Sequence, residues 1–126
     1  MPNALLVDDE EDICDFLKEQ LEEIGFQVFT ACSGEEALSV IRSQAVDLAV
    51  VDMRLSTALT GLDVIRAVQQ KWPGSTVIAM SGYVDVGLRQ ETGRLGVAAY
   101  FVKPDDVQPT TFTSKIQEIY SKSHRA

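Results

Sequence analysis

The stretch Asp47-Leu48-Ala49-Val50-Val51-Asp52 is a short apolar run that stops on a carboxylate, and Ala4-Leu5-Leu6-Val7 stops on a pair of them, Asp8 and Asp9. Two further runs also end in polar groups: Thr76-Val77-Ile78-Ala79-Met80 in Ser81, and Ala99-Tyr100-Phe101-Val102 in Lys103. Short apolar runs of this kind read as buried strands. If they are parallel, their carboxyl ends share the sheet edge at which open α/β folds bind ligands. An acid pair, an acid, a hydroxyl and an ammonium then form one constellation.

Between the runs the periodicity changes to that of helices. Ile13, Leu17, Leu21 and Ile24 recur at helical spacing and Gly25 follows as a C-terminal cap, so a first helix is expected over about Glu11 to Ile24. After a short strand from Gln27 to Ala31, Ser33 and Glu36 have the spacing of a capping box, opening a helix from Gly34 to about Ser43. Thr60 and Asp63 repeat that signal ahead of Leu62, Ile65 and Val68, and Trp72-Pro73-Gly74 stops this third helix. The fourth, Val84 to Leu95, contains Gly87 and Gly93, each costing about 0.5 to 1 kcal/mol relative to alanine, and is expected to be the least secure. A last helix spans about Pro109 to Tyr120.

Five strands alternating with five helices imply right-handed crossovers and a parallel sheet covered on both faces. The expected fold is therefore α/β and doubly wound. A flavodoxin-like strand order, 2-1-3-4-5, would set the first and third strands side by side and make Asp8, Asp9 and Asp52 neighbours. With 126 residues, 45% of them hydrophobic, one core is expected. Residues 1–121 form that domain and 122–126 a solvated tail.

Charge and cysteine content narrow the partners. Eleven basic and 19 acidic residues give a formal charge of −8, which argues against this domain gripping nucleic acid or an anionic membrane. Cys14 and Cys32 fit no zinc or redox spacing and read as reduced thiols suited to the cytosol. No run approaches ~18 apolar residues and Met1-Pro2-Asn3-Ala4 has no basic region ahead of an apolar stretch, so neither membrane spanning nor export is expected. A cytoplasmic location is expected.

Clustered carboxylates repel one another unless a cation neutralises them. Magnesium, which takes oxygen ligands and keeps several waters, suits one or two direct carboxylates with open positions for a phosphate. Asp8 and Asp9 could instead cap the first helix, Ser81 could be a turn former and Lys103 a solvated lysine. Pro104, however, restricts the backbone of Lys103 and gives its side chain a defined direction. Cation, ammonium and hydroxyl around one carboxylate supply groups for three phosphoryl oxygens, and these cations should hold Asp52 ionised at neutral pH.

The motifs Leu5-Leu6-Val7-Asp8-Asp9-Glu10, Leu48-Ala49-Val50-Val51-Asp52-Met53, Ala79-Met80-Ser81-Gly82-Tyr83 and Tyr100-Phe101-Val102-Lys103-Pro104, in this order, carry a resemblance. The chain resembles, over essentially its whole length, the receiver domain of bacterial two-component response regulators. The resemblance implies that Asp52 is phosphorylated by a histidine kinase or a histidine phosphotransfer protein. It implies that Asp9, Asp52 and the backbone carbonyl of Arg54 bind magnesium directly, with Asp8 acting mainly through a bound water. Ser81 and Lys103 would contact the phosphoryl group, and small Gly82 would leave the approach open. Ser81 and Tyr100 would form the switch, Tyr100 turning inward, and the surface of helix four, strand five and helix five would meet the downstream protein or output domain. Arg54 and Tyr83 occupy positions bordering the path of the hydrolytic water, so slow autodephosphorylation is expected.

One departure stands out. The stretch Arg54-Leu55-Ser56-Thr57-Ala58-Leu59-Thr60-Gly61 lacks the proline common in the family and places its glycine one residue late. Two other readings compete with this one. A magnesium-dependent phosphohydrolase with an aspartyl-phosphate intermediate would need a second acid where Arg54 stands, and His124 lies in the tail. A binding module of the same fold would carry flavin, which wants hydroxyls and glycines in place of Asp8-Asp9-Glu10, or would bind protein without taking phosphate.

Overall fold

The computed structural model describes residues 1–55, 58–83 and 85–124. Asn3–Val7 (β1), Gln27–Ala31 (β2), Leu48–Asp52 (β3), Thr76–Ser81 (β4) and Ala99–Val102 (β5) form one sheet in the order β2-β1-β3-β4-β5. Every neighbouring pair is parallel, with Val7 opposite Val51 and Asp52 opposite Met80. All residues of β3 and β4 are buried, as strands covered on both faces must be.

The side chains alternate between two apolar layers. Ala4, Leu6, Leu48, Val50, Ile78 and Met80 pack with Leu17 and Leu21 of α1 (Glu11–Glu23) and with Phe112 and Ile116 of α5 (Pro109–Ser123). Leu5, Val7, Ala49, Val51 and Ala79 face the opposite way, toward α2 (Gly34–Ser43) and α3 (Gly61–Lys71). The expected doubly wound architecture and strand order are both present.

Local signals explain the helix boundaries. Gly25 has φ 98°, and the amides of Gly25 and Phe26 return to the carbonyls of Glu22 and Leu21, a double closure that ends α1. Thr60 and Asp63 form a reciprocal capping box at α3. At α2 only half of that pattern appears: Ser33 accepts from the Glu36 amide, whereas the Glu36 carboxylate reaches one residue further back, to the Cys32 amide. Both thiols are free, Cys14 buried and Cys32 exposed.

Two boundaries differ from the sequence reading. The fourth helix (α4) spans Val86–Arg94, because Asp85 caps it by accepting from the Leu88 amide; Val84, the expected start, lies outside the described residues. Only Thr92 of α4 is fully buried and Val86 is exposed, so packing depends on Leu88 and Leu95. Polar ties from α3 add to it, Arg66 to Glu91 and the Gln69 amide to the Leu95 carbonyl. At the other end α5 continues past Tyr120 to Ser123. The His124 ring stacks on Tyr120 at 4.0 Å and its Nε2 lies 3.1 Å from Thr76 Oγ1, so residues 122–124, though exposed, continue the helix end rather than leave it. Arg125 and Ala126 lie outside the described residues.

Candidate functional site

The carboxyl ends of β1, β3 and β5 bring Asp8, Asp9, Asp52 and Lys103 together. One carboxylate oxygen of each of the three aspartates lies within 4.8 Å of the others. Asp8 is wholly buried and Asp52 is 4% exposed, while Asp9 is half-buried toward the opening. Capping of α1 does not account for them, since the N-cap is Glu10 and no side chain bonds there. Asp8 instead accepts from the Glu10 amide with Oδ1, and from Lys103 with Oδ2 at 2.8 Å.

Asp52 is held at both oxygens. The Arg54 amide donates to Oδ1 at 2.9 Å and Lys103 Nζ to Oδ2 at 3.2 Å. Burial nevertheless dominates and pushes its carboxyl from 3.8 up to about 6; the Arg54 amide opposes this, Asp8 adds to it, and Lys103 opposes it again. The expected lowering by neighbouring cations is therefore outweighed: the Arg54 amide and Lys103 oppose the upward shift without reversing it. Burial would lower Lys103, but its bonds to Asp8 and Asp52 prevail and the net shift is upward.

The opening above Asp52 is a cleft of about 430 Å³ lined by Asp9, Glu10, Ile13, Asp52, Arg54, Gly82, Tyr83, Lys103 and Pro104. At its mouth the Arg54 guanidinium lies over the Tyr83 ring, 4.4 Å from the centroid. Gly82 is exposed, with open space where a Cβ would stand. Ser81 is fully buried and its Oγ accepts a long 3.4 Å bond from the Tyr83 amide. The Tyr100 ring is 9% exposed beneath the Arg89 guanidinium, and its buried hydroxyl has no hydrogen-bond partner among the described residues. The aromatic expected to turn inward is therefore already inside.

Sequence reading missed several contributors. A Cβ on Gly61 would run into the Asp52 carbonyl oxygen and the Met53 Cα, so the late glycine lets α3 press against the backbone at Asp52. Only its position had signalled this. Cys14 donates from Sγ to the Asp8 carbonyl at 3.2 Å, with its thiol pushed up to about 12, burial being the main cause. Ile13 and Glu10 enter the lining because α1 starts at the rim. Ser56 and Thr57 of the inserted loop lie outside the described residues.

Comparison with known proteins decides the family. The response regulator receiver domain description matches residues 4–116. The chain belongs to the response regulator receiver family. This receiver is 30% identical over 103 residues to the sporulation initiation phosphotransferase F of Bacillus subtilis, covering 82% of each chain. It spans only 21% to 60% of several longer regulators that it also matches. A CheY-like receiver structure from Methanospirillum hungatei JF-1 superposes with a TM-score of 0.89 at 28% identity, covering 98% of this chain and 96% of that one. A Burkholderia pseudomallei response regulator, solved with a phosphorylated aspartic acid, a calcium ion and citrate, shares the fold at 23% identity and TM-score 0.77, over 100% of this receiver and 76% of that chain.

The donor set of the receiver fits a hard divalent cation. Among the described residues three carboxylates converge, one ammonium opposes them, and Asp9 and Asp52 both face the cleft. Among the described residues no helix is long and apolar enough to cross a membrane.

Proposed function

We propose that Asp52 accepts a phosphoryl group from a histidine kinase or histidine phosphotransfer protein. The observation that carries this reading is the anchoring of Asp52: one oxygen is fixed by the Arg54 amide and the other by Lys103, at the floor of an open cleft. An ionised aspartate attacks phosphorus without a general base, so position and charge compensation do the catalytic work. Magnesium, held by Asp9, Asp52 and the Arg54 carbonyl with Asp8 acting through water, would offset charge on the transferring oxygens. Lys103 supplies the second positive charge there.

Ser81 and Tyr100 form the switch in this reading. Among the described residues the Ser81 hydroxyl is engaged only by the long bond it accepts from the Tyr83 amide, which leaves it free to turn and donate to a phosphoryl oxygen. Its movement would favour one packing of Tyr100 and of α4, which has few buried apolar contacts of its own. The α4, β5 and α5 surface is the output face, read by a downstream protein or output domain in the cytoplasm. Gly82 admits the donor, while Arg54 stacked on Tyr83 hinders the hydrolytic water and slows autodephosphorylation. Phosphohydrolase turnover is disfavoured, since the side chain two residues past Asp52 is this stacked guanidinium rather than an acid.

Incubation with acetyl phosphate and magnesium, followed by intact mass, tests the acceptor. One phosphoryl group is expected on the parent and none on Asp52→Ala; equal labelling of both would end the reading.

A further inference from the structure

We infer that Asp106 is a positioning residue for Lys103, and that Lys115 on α5 completes the clamp, tying the site's ammonium to the outer helix. The inference rests on Asp52 as phosphoacceptor and extends that site to two residues outside the cleft.

β5 is an edge strand, hydrogen-bonded to β4 alone. Amides along a strand point alternately to its two sides, and Lys103 donates inward, to the Ser81 carbonyl at 2.7 Å. The preceding amide, that of Val102, therefore faces outward, where an edge leaves donors without a strand partner. Asp106 fills that place: its Oδ2 accepts from Val102 N at 2.8 Å. The backbone entering Lys103 is thus gripped from both sides, by β4 and by a carboxylate.

The other oxygen of Asp106 takes the Lys115 ammonium. That ion pair orients the carboxylate so that Oδ2 meets Val102, and Lys115, the larger cause, together with the Val102 bond holds its pKa below the usual carboxylate range. Lys115 also lies 5.7 Å from the Phe101 ring centroid, and Phe101 meets Phe112 of α5 edge-on at 6.0 Å. Two contacts therefore join α5 to the strand that delivers Lys103. A side chain serving only the local turn would have no need to pair with α5.

The test uses the full chain and the variants Asp106→Ala, Asp106→Asn and Lys115→Met. It measures phosphorylation rate with acetyl phosphate at saturating magnesium, the magnesium half-saturation, the thermal midpoint and amide exchange at Lys103. Asp106→Ala is expected to slow phosphorylation roughly ten-fold while magnesium half-saturation stays within about two-fold, because the ammonium is displaced and the carboxylates are not. Asp106→Asn keeps an acceptor for Val102 but cannot pair with Lys115, so it and Lys115→Met should fall between. A merely structural role would instead lower thermal midpoint, magnesium affinity and rate together, and that pattern overturns the inference. So do parent rates in Asp106→Asn and Lys115→Met, the deciding pair if Asp106→Ala does not fold. If the parent itself takes no phosphoryl group, the acceptor reading fails, and the clamp is judged by Lys103 amide exchange alone: faster in the variants supports it, unchanged refutes it.

Discussion

Lys103 Nζ stands 3.2 Å from Oδ2 of Asp52 although the two residues are 51 positions apart, and both are largely buried. The same ammonium reaches Asp8 at 2.8 Å. One cation thus balances two buried carboxylates, and the site keeps an excess of negative charge that draws a second cation.

Replacing Lys103 by methionine should leave Asp8 and Asp52 buried without a counter-charge. A loss of about 3 to 5 kcal/mol at neutral pH is expected in denaturant unfolding without magnesium. Phosphorylation by acetyl phosphate should fall at least ~100-fold with the lost charge compensation. Parent stability in this variant would contradict the ion-pair geometry.

The raised pKa of Asp52 has a definite sign in a pH titration. Its carboxyl moves from 3.8 in the unfolded chain to about 6 in the fold, so the folded state holds the proton more tightly between those values. The metal-free protein should therefore lose stability from this group as pH rises from about 4 through 6, with the full cost present above. Asp52→Asn mimics the protonated form. Its stability advantage over the parent should be near zero at pH 4 and reach on the order of 2 to 3 kcal/mol above pH 7. A gap that closes as pH rises would reverse the assignment.

Gly61→Ala places a methyl group against the Asp52 carbonyl and Met53. Overpacking of this kind costs about 1 to 3 kcal/mol, and a shift of the acceptor should slow phosphorylation as well. Thermal melts and single-turnover labelling, run in parallel, should both register the change. The same substitution at Gly82, where space is open, should leave the melt nearly unchanged.

Removing either half of the Arg54 and Tyr83 stack should open the cleft mouth. Arg54→Ala and Tyr83→Ala are each expected to speed loss of the phosphoryl group by roughly ten-fold at neutral pH with magnesium, about 1.4 kcal/mol of barrier. Decay of the phosphorylated species by mass gives the rate directly. Decay in the parent within seconds, or no acceleration in either variant, would remove the proposed shielding role.

Tyr100 carries a buried hydroxyl that makes no hydrogen bond among the described residues. Tyr100→Phe should accordingly stabilise the unphosphorylated protein by on the order of 1 kcal/mol, since an unsatisfied buried hydroxyl carries a desolvation cost. Chemical denaturation measures this. Destabilisation would show that the hydroxyl has a partner in solution.

Much of this protein was legible from local pattern alone. Apolar runs ending in Asp8, Asp52, Ser81 and Lys103 gave the strands and the residues at their ends, and the Thr60 and Asp63 spacing gave a capping box that the structure reproduces. Strand register and cap chemistry are short-range matters, decided by side-chain alternation and by backbone amides within one helical turn. Helix ends governed by distant partners were less legible. α5 outruns its expected stop because His124 finds Thr76 and Tyr120, and Val86 faces solvent because α4 is tied down through Leu88, Leu95 and α3.

Residue types and their order were enough to single out Asp52, its acidic neighbours and Lys103, which the fold brings together, because each chemistry accepts few side chains. The tertiary structure alone decided how those groups interact: burial outweighs nearby cations at Asp52, Arg54 lies on Tyr83, Gly61 meets the Asp52 carbonyl, and Asp106 grips the strand leading to Lys103. Desolvation, ring stacking and edge-strand pairing depend on what surrounds an atom in space, and residues far apart in the chain supply those surroundings.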